Sequence, residues 1–160
     1  MTEGSGFTTR VATAADAEVI GEHRHRMFVD SGQTDDERMW AVIAKFVPWV
    51  RRRLEDGSYI GWLVEKDGRV VAGAGLWLMD FPPHWMHEDS VRAYLLNFYV
   101  DPAVRGHGLA GELLKLAVDE SDRRGIEVVT LYASKFGRPI YERFGFEATN
   151  EMMLRRHPVK

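Results

Sequence analysis

At 160 residues, with 45% hydrophobic and 28% charged side chains, the chain has the size and make-up of one globular domain rather than of a disordered or membrane-spanning protein. Its formal net charge of −3 lacks the basic balance with which nucleic-acid binders hold phosphates, and no apolar run approaches the roughly 18 residues of a transmembrane helix, so neither nucleic acid nor membrane is an expected partner. The absence of cysteine excludes disulfides, thiolate-bound metal and a cysteine nucleophile. Together with an N-terminus that lacks a signal-like pattern, it points to a cytoplasmic location.

A short polar segment, 1–6, is expected to be flexible, and a single domain to cover 7–157. Phe7 to Ala12 reads as a first strand. Thr13 and Asp16 then have the spacing of a capping box, a hydroxyl followed three residues later by a carboxylate. A helix is predicted from Asp16 to Val29, with Ala17, Ile20, Met27 and Phe28 on one face. Ser31-Gly-Gln-Thr34 breaks it. A second helix is predicted from about Asp35 to Leu54, buried through Trp40, Ile43, Val47, Val50 and Leu54. Pro48 within it is expected to kink it or start a new helix. Arg51-Arg-Arg53 reads as a solvated helix end.

Tyr59 to Glu65 and Arg69 to Leu78 read as strands joined at Lys66-Asp67-Gly68, a hairpin signal. A loop rich in Pro, His and Trp follows, 79–91. Tyr94 to Val100 is nearly all apolar and is expected to be buried on both faces. Leu109 to Arg124 has helical periodicity through Ala110, Leu113, Leu114 and Ala117, and ends at Gly125. Val128 to Ala133 reads as a buried strand, Pro139 to Phe144 as a short helix stopped by Gly145, and Glu147 to Arg155 as a last strand. The predicted order is β-α-α-β-β-β-α-β-α-β, an α/β (α+β) arrangement, with the strand–helix–strand run of the second half implying a parallel pair.

Chemistry is concentrated in 97–114. A buried strand ends at Val100, a turn carrying Gly106 and Gly108 follows, and a helix begins. The first turn of a helix has unpaired amides and a partial positive charge, and glycines remove side chains that would block a ligand. Such a turn cradles a pyrophosphate without lysine or metal. Gly106-x-Gly108-x-x-Gly111 also spells the dinucleotide fingerprint. That fold, however, sets its first glycine close behind the strand and an acid about 20 residues on, whereas here five residues intervene and the next strand ends in Ala133-Ser134.

Arg105, Gly108 and Ala110, led in by Val100-x-Pro102, resemble the acetyl-CoA signature of the GNAT superfamily of N-acetyltransferases. The likeness continues through Leu131-Tyr-Ala-Ser134 and Ile140-Tyr141-Glu-Arg-Phe-Gly145-Phe146. It implies the GNAT acyl-CoA N-acyltransferase fold, a mixed central sheet flanked by helices, with acetyl-CoA as cosubstrate. The fourth and fifth strands would splay at a bulge and take the pantetheine between them. The backbone of Phe98, Tyr99 and Val100 would hold the pantetheine, and the amides of Arg105, Gly106, His107, Gly108, Leu109 and Ala110 the pyrophosphate. An acceptor amine would attack the thioester directly, with a backbone donor stabilising the oxyanion.

Tyr141 is then the expected general acid for the departing thiolate, since a phenol is still protonated at neutral pH; on spacing alone it is a packing residue of an amphipathic helix. Ser134 stands where family members often carry Asn, and either contacts the cosubstrate or caps the next helix. Asn97 stands where many carry a basic Glu. It cannot accept a proton, and either orients substrate or is a buried amide satisfied by backbone.

On the acceptor side, Arg24 sits on an apolar helix face, where it would clamp a carboxylate or snorkel to the rim of the core. His84, Trp85 and His87 lie in a loop open to an acceptor. No carboxylate–histidine spacing typical of a helical site accompanies the histidines, so no metal is expected. The function implied is transfer of acetyl from acetyl-CoA to a primary amine of a small molecule or peptide. The alternative is a non-catalytic acyl-CoA-binding or regulatory module on the same fold. A homodimer is left open.

Overall fold

The computed structural model describes residues 6–156. Of the expected flexible segment 1–6 only Gly6 falls among them, and position 157, the expected end of the domain, lies outside. Strand β1 (Thr8–Val11) leads into a 3₁₀ turn, Ala14–Asp16, where the Asp16 carboxylate accepts the Thr13 N–H at 2.7 Å. Arg10 forks onto the same carboxylate with two contacts of 2.8 Å and holds its pKa below the usual range.

Helix α1 (Ala17–Asp30) follows, then α2 (Glu37–Asp56), capped by the Asp36 carboxylate on the Met39 N–H at 3.0 Å. α2 buries Met39, Ile43, Phe46 and Val50. Trp40, expected on that face, lies one position off this line; it is 55% exposed and stacks on His25 with ring centres 4.2 Å apart. Pro48 neither ends α2 nor starts another helix, because Phe46 and Val50 on either side of it are both anchored in the core. The two helices meet at Gly21, where a Cβ would lie 2.6 Å from a Val47 methyl. On α1 the buried positions are Ala17, Ile20, Gly21 and His23, while Met27 and Phe28 are half-buried.

The remaining elements are β2 (Tyr59–Lys66), β3 (Arg69–Asp80), β4 (Val91–Val100), α3 (Leu109–Arg123), β5 (Val129–Leu131) and α4 (Arg138–Phe144). They form one five-stranded sheet in the order β1-β2-β3-β4-β5, antiparallel except for the parallel pair β4–β5. The β2–β3 hairpin turns at Asp67-Gly68, whose φ values of 52° and 76° suit the right-handed twist of the ribbon. α1 and α2 cover one face through Ala17, Ile20, Phe46 and Val50 against Tyr59 and Leu63. α3 covers the other through Leu109, Leu113, Leu114 and Ala117 against Val71, Leu76, Ala93 and Leu95. Among the described residues no helix is long and apolar enough to cross a membrane.

Three further expectations, all about strands, are corrected. β4 is not uniformly buried: Ala93, Leu95, Asn97 and Tyr99 are buried, while Tyr94, Leu96, Phe98 and Val100 are half-buried. β5 is only three residues long and half-buried, because it is the edge of the sheet. Glu147 to Arg155 forms no strand. Its apolar residues Met152, Met153 and Leu154 are consecutive, so neither face of a strand would bury them together, and all three are exposed. The Arg155 Nη2 donates to the Tyr132 hydroxyl at 2.7 Å, which ties the segment near β5.

His23 is a buried histidine on the helical face, with its ring 4.8 Å from that of Tyr99. Burial first, then the charge of Arg26, pull its pKa down to about 4, against an opposing pull from Asp101. An unfolded histidine titrates near ~6.5, so between about pH 4 and 6.5 the unfolded chain binds the extra proton. Stability is therefore expected to rise with pH across that window and to be lost as pH falls through it, by roughly 2–3 kcal/mol from this group. His23→Leu should remove that share of the acid loss. Equal acid sensitivity in mutant and parent, measured by thermal unfolding at pH 7 and 4.5, would exclude His23 as its source.

Candidate functional site

The cleft begins with a bulge. Gly73 pairs with Tyr99 and Gly75 with Leu96, so Asn97 and Phe98 together face the single residue Ala74. Asn97 takes φ +59°, a left-handed conformation that Asn tolerates better than most side chains. β4 and β5 pair only from Ala93↔Val129 to Leu95↔Leu131. Beyond Leu95 the strands part, and the gap is a cavity of about 130 Å³ lined by Phe98, Tyr99, Val100, Ala110, Leu113, Ser134, Gly137, Ile140 and Tyr141. A larger cavity, about 330 Å³, lies at the other end of β4 between Asp89–Val91 and Arg124–Glu127; it touches neither the bulge nor the glycine turn.

At the end of β4 the chain turns through a 3₁₀ segment, Pro102–Val104, tied by the Asp101 carboxylate to the Ala103 N–H at 2.9 Å. Gly106 and Gly108 then take φ +87° and +76°, and a Cβ on either would meet no atom within 4 Å. The backbone there is bare, with open space above it, which suits close approach of a bulky anion. Gly108 caps α3, whose first i→i−4 bond is Glu112 N–H to Gly108 O at 3.1 Å, so the amides of Leu109, Ala110 and Gly111 have no such partner. The Leu109 side chain is buried, leaving only its amide for a ligand. Arg105 is tied back, with Nε on Val100 O at 3.1 Å and Nη2 on Asp30 at 3.3 Å. His107 is exposed, its ring 5.3 Å from that of Phe7.

Tyr141 lies on α4 at the wall of the cleft. Its ring meets Phe98 edge-on at 6.2 Å and Phe146 at 6.0 Å. Burial alone raises its pKa, so the phenol is protonated at neutral pH. Among the described residues nothing hydrogen-bonds its hydroxyl. Ser134 Oγ accepts the Gly137 N–H at 3.0 Å, a turn that starts α4 and leaves the hydroxyl proton of Ser134 free to donate.

On the opposite side of β4, the Tyr99 ring packs at a tilt against His23, so only its backbone faces the cleft. Asn97 is buried and held at both ends: Nδ2 donates to Ile20 O at 2.8 Å, and Oδ1 accepts from Arg24 Nη1 at 3.0 Å. Arg24 and Asn97 therefore meet at the bulge. His84 and Trp85 do not join them. They sit in the β3–β4 loop, at the end of β4 away from the bulge, six residues and roughly 20 Å along the strand from Val91 to Asn97. His84 Nδ1 accepts the Met86 N–H at 3.2 Å, and Trp85 is 88% exposed. His87 is buried; its Nδ1 donates to Asp89 O at 2.7 Å and its Nε2 accepts from Arg92 at 3.2 Å, so both ring nitrogens are engaged. No group of three or more His, Asp or Glu converges among the described residues.

Sequence reasoning missed Leu113, Gly137 and Ile140 as cleft residues. Leu113 reads only as core, and Gly137 carries no signal beyond its place between Ser134 and Pro139. Gly137 matters because a Cβ there would press on the Tyr141 ring at 3.1 Å. It also missed the buried Arg92, stacked on Phe81 at 3.7 Å, which locks the β3–β4 loop through His87.

Comparison with known proteins converges on one family. The chain superposes with TM-score 0.89 on a GCN5-related N-acetyltransferase from Ralstonia eutropha, at 38% identity over 94% of this chain and 98% of that one. A predicted acetyltransferase from Clostridium acetobutylicum, solved with acetyl-CoA, matches with TM-score 0.85 at 27% identity over 94% and 96% of the two chains. YjgM of Escherichia coli K12, an uncharacterized N-acetyltransferase, is 33% identical over 89 residues, 54% of this chain and 50% of that protein. The chain spans about half the length of the curated relatives it matches, between 44% and 56%. The Acetyltransferase (GNAT) family model matches residues 17–146, most of the chain, and with the bulged β4, the parted β5 and the glycine turn already in place, the chain belongs to the GNAT family of acetyltransferases.

Proposed function

We propose that the protein is a cytoplasmic, single-domain N-acetyltransferase that uses acetyl-CoA and acetylates a primary amine of a small molecule or peptide. The observation that supports this best is the continuity of three features: the bare glycine turn at the start of α3, the gap between β4 and β5, and the unpartnered Tyr141 hydroxyl on its wall. The turn fits a pyrophosphate, and the gap fits a thin pantetheine arm bonded to the free edge of β4 beyond Leu95.

In this reading the amine nitrogen attacks the thioester carbon, a backbone N–H near the bulge stabilises the oxyanion, and the C–S bond then breaks. The thiolate takes its proton from Tyr141, which regains one from solvent, and the amine releases its own proton to water. Asn97 takes no part in that proton transfer, since both ends of its amide are occupied.

The test is thiol release from acetyl-CoA across a panel of primary amines, with mass analysis of the product. Turnover with an amine supports the enzyme. Tight CoA binding with no turnover across the panel would favour a non-catalytic acyl-CoA-binding module.

A further inference from the structure

Arg24 is a cation without an anion. Among the described residues no carboxylate pairs with it, and its protein acceptor is the Asn97 side-chain carbonyl. Its guanidinium packs on two rings, 4.9 Å from the centre of Phe28 and 4.7 Å from that of Phe46. The rings offset part of the cost of desolvating the charge, and burial lowers its pKa. The one buried side-chain nitrogen or oxygen left without a partner among the described residues is Arg92 Nε, so the N–H groups that Arg24 does not spend on Asn97 reach solvent. A flat fork packed on aromatic rings, with N–H groups left to solvent, is shaped for a planar carboxylate.

The fork is also fixed in place. Asn97 belongs to the bulge, and its amide nitrogen is anchored on Ile20 O at 2.8 Å, so the group that positions Arg24 is the strand bend beside the cleft. Running from Phe46 on the same face is a row of aromatic rings: Phe46 to Trp49 at 5.8 Å, Trp49 to Trp77 at 5.3 Å and Trp77 to Tyr94 at 6.1 Å. Trp49, Trp77 and Tyr94 are half-buried, so the row that starts at Phe46 leaves aromatic surface uncovered.

We infer that Arg24 is the carboxylate subsite of the acceptor, and that the amine acetylated is an amino acid-like molecule with its carboxylate on Arg24 and an apolar body against Trp77 and Tyr94. This rests on the acetyltransferase reading above. It adds that the amine stands on a carbon close to the carboxylate, because Arg24 and the bulge are linked by a single side chain.

Matched acceptors test it: apolar α- and β-amino acids against their own carboxamides, which keep the amine and the body but lose the charge. The protein should prefer each acid over its amide by roughly 10- to 100-fold in kcat/KM, the effect expected of charge-assisted hydrogen bonds. Arg24→Gln should bring that ratio near unity and leave the acetyl-CoA KM unchanged, while Arg24→Lys should keep part of it. A structural role for Arg24 would slow acid and amide alike and leave the ratio intact. Equal use of acids and amides by the unaltered protein overturns the inference while leaving acetyl transfer standing, and so does a preference that survives Arg24→Gln. Should neither set turn over, the enzyme reading fails for these acceptors, and calorimetry on the CoA-bound protein decides the subsite. Acid binding lost in Arg24→Gln supports it; no acid binding to the parent overturns it. If Arg24→Gln melts early, the acid–amide ratio of the unaltered protein still decides.

Discussion

Gly108→Asp is expected to abolish CoA binding while leaving the fold nearly intact. Gly108 takes φ +76°, a region that Asp enters at lower cost than most residues, and a Cβ there meets no protein atom within 4 Å. The substitution should therefore cost the fold little, on the order of 1 kcal/mol. For the ligand it matters twice. The side chain would fill the open space over the turn, and its carboxylate would stand among the amides proposed to hold the pyrophosphate. Like charges at that range replace attraction with repulsion, so a loss of more than about a hundredfold in affinity is expected. Gly108→Asn separates the two effects: it has the same shape without the charge, and should bind CoA more weakly than the parent and more tightly than the Asp variant. Calorimetry with CoA, with the melting temperature as control, reads the result. Unchanged affinity in a folded Gly108→Asp protein would mean that the turn is not the phosphate cradle.

Tyr141→Phe should lower kcat with little change in acetyl-CoA affinity. The change removes one hydroxyl and almost no volume, and the ring contacts with Phe98 and Phe146 survive it. The hydroxyl has no protein partner among the described residues, so the fold loses no hydrogen bond. What is lost belongs to the transition state, where the departing thiolate needs a proton. General acids typically contribute 10²–10⁴-fold, and a thiolate is already a fair leaving group, so a fall on the order of tenfold to a hundredfold is expected. A variant that melts and binds CoA as the parent does and also turns over at the parent rate would make Tyr141 a packing residue.

The parts of this molecule readable in its sequence are those fixed locally. Asp67-Gly68 and Gly106/Gly108 adopt positive φ where their turns require it, and the Thr13–Asp16 spacing caps as expected. The glycine turn needs only a strand before it and a helix after it, and both are written in adjacent residues. Distant pairings are less legible. Trp40 falls on the solvent side because the face of α2 is set by how α1 docks at Gly21, not by the periodicity of α2 alone. The bulge at Asn97 depends on register with β3, so the family likeness implied a bulge without placing it, and the Arg24–Asn97 contact spans 73 positions. Glu147 to Arg155 has strand-like residues, but its partner edge, β5, offers only three. His84 and Trp85 looked available to an acceptor because loop residues are exposed; only the direction of β4 reveals that they stand at its far end.

The central claim is that a cleft between β4 and β5 transfers acetyl from CoA to an amine. The most direct measurement is formation of an acetylated amine from acetyl-CoA by the purified protein, followed by mass analysis alongside thiol release, with Gly108→Asp run in parallel. The account predicts an acetylated product with at least one amine of the panel, formed in step with free thiol and lost in the variant. A protein that binds CoA tightly but yields no acetylated amine, or a Gly108→Asp variant that yields as much as the parent, would contradict it.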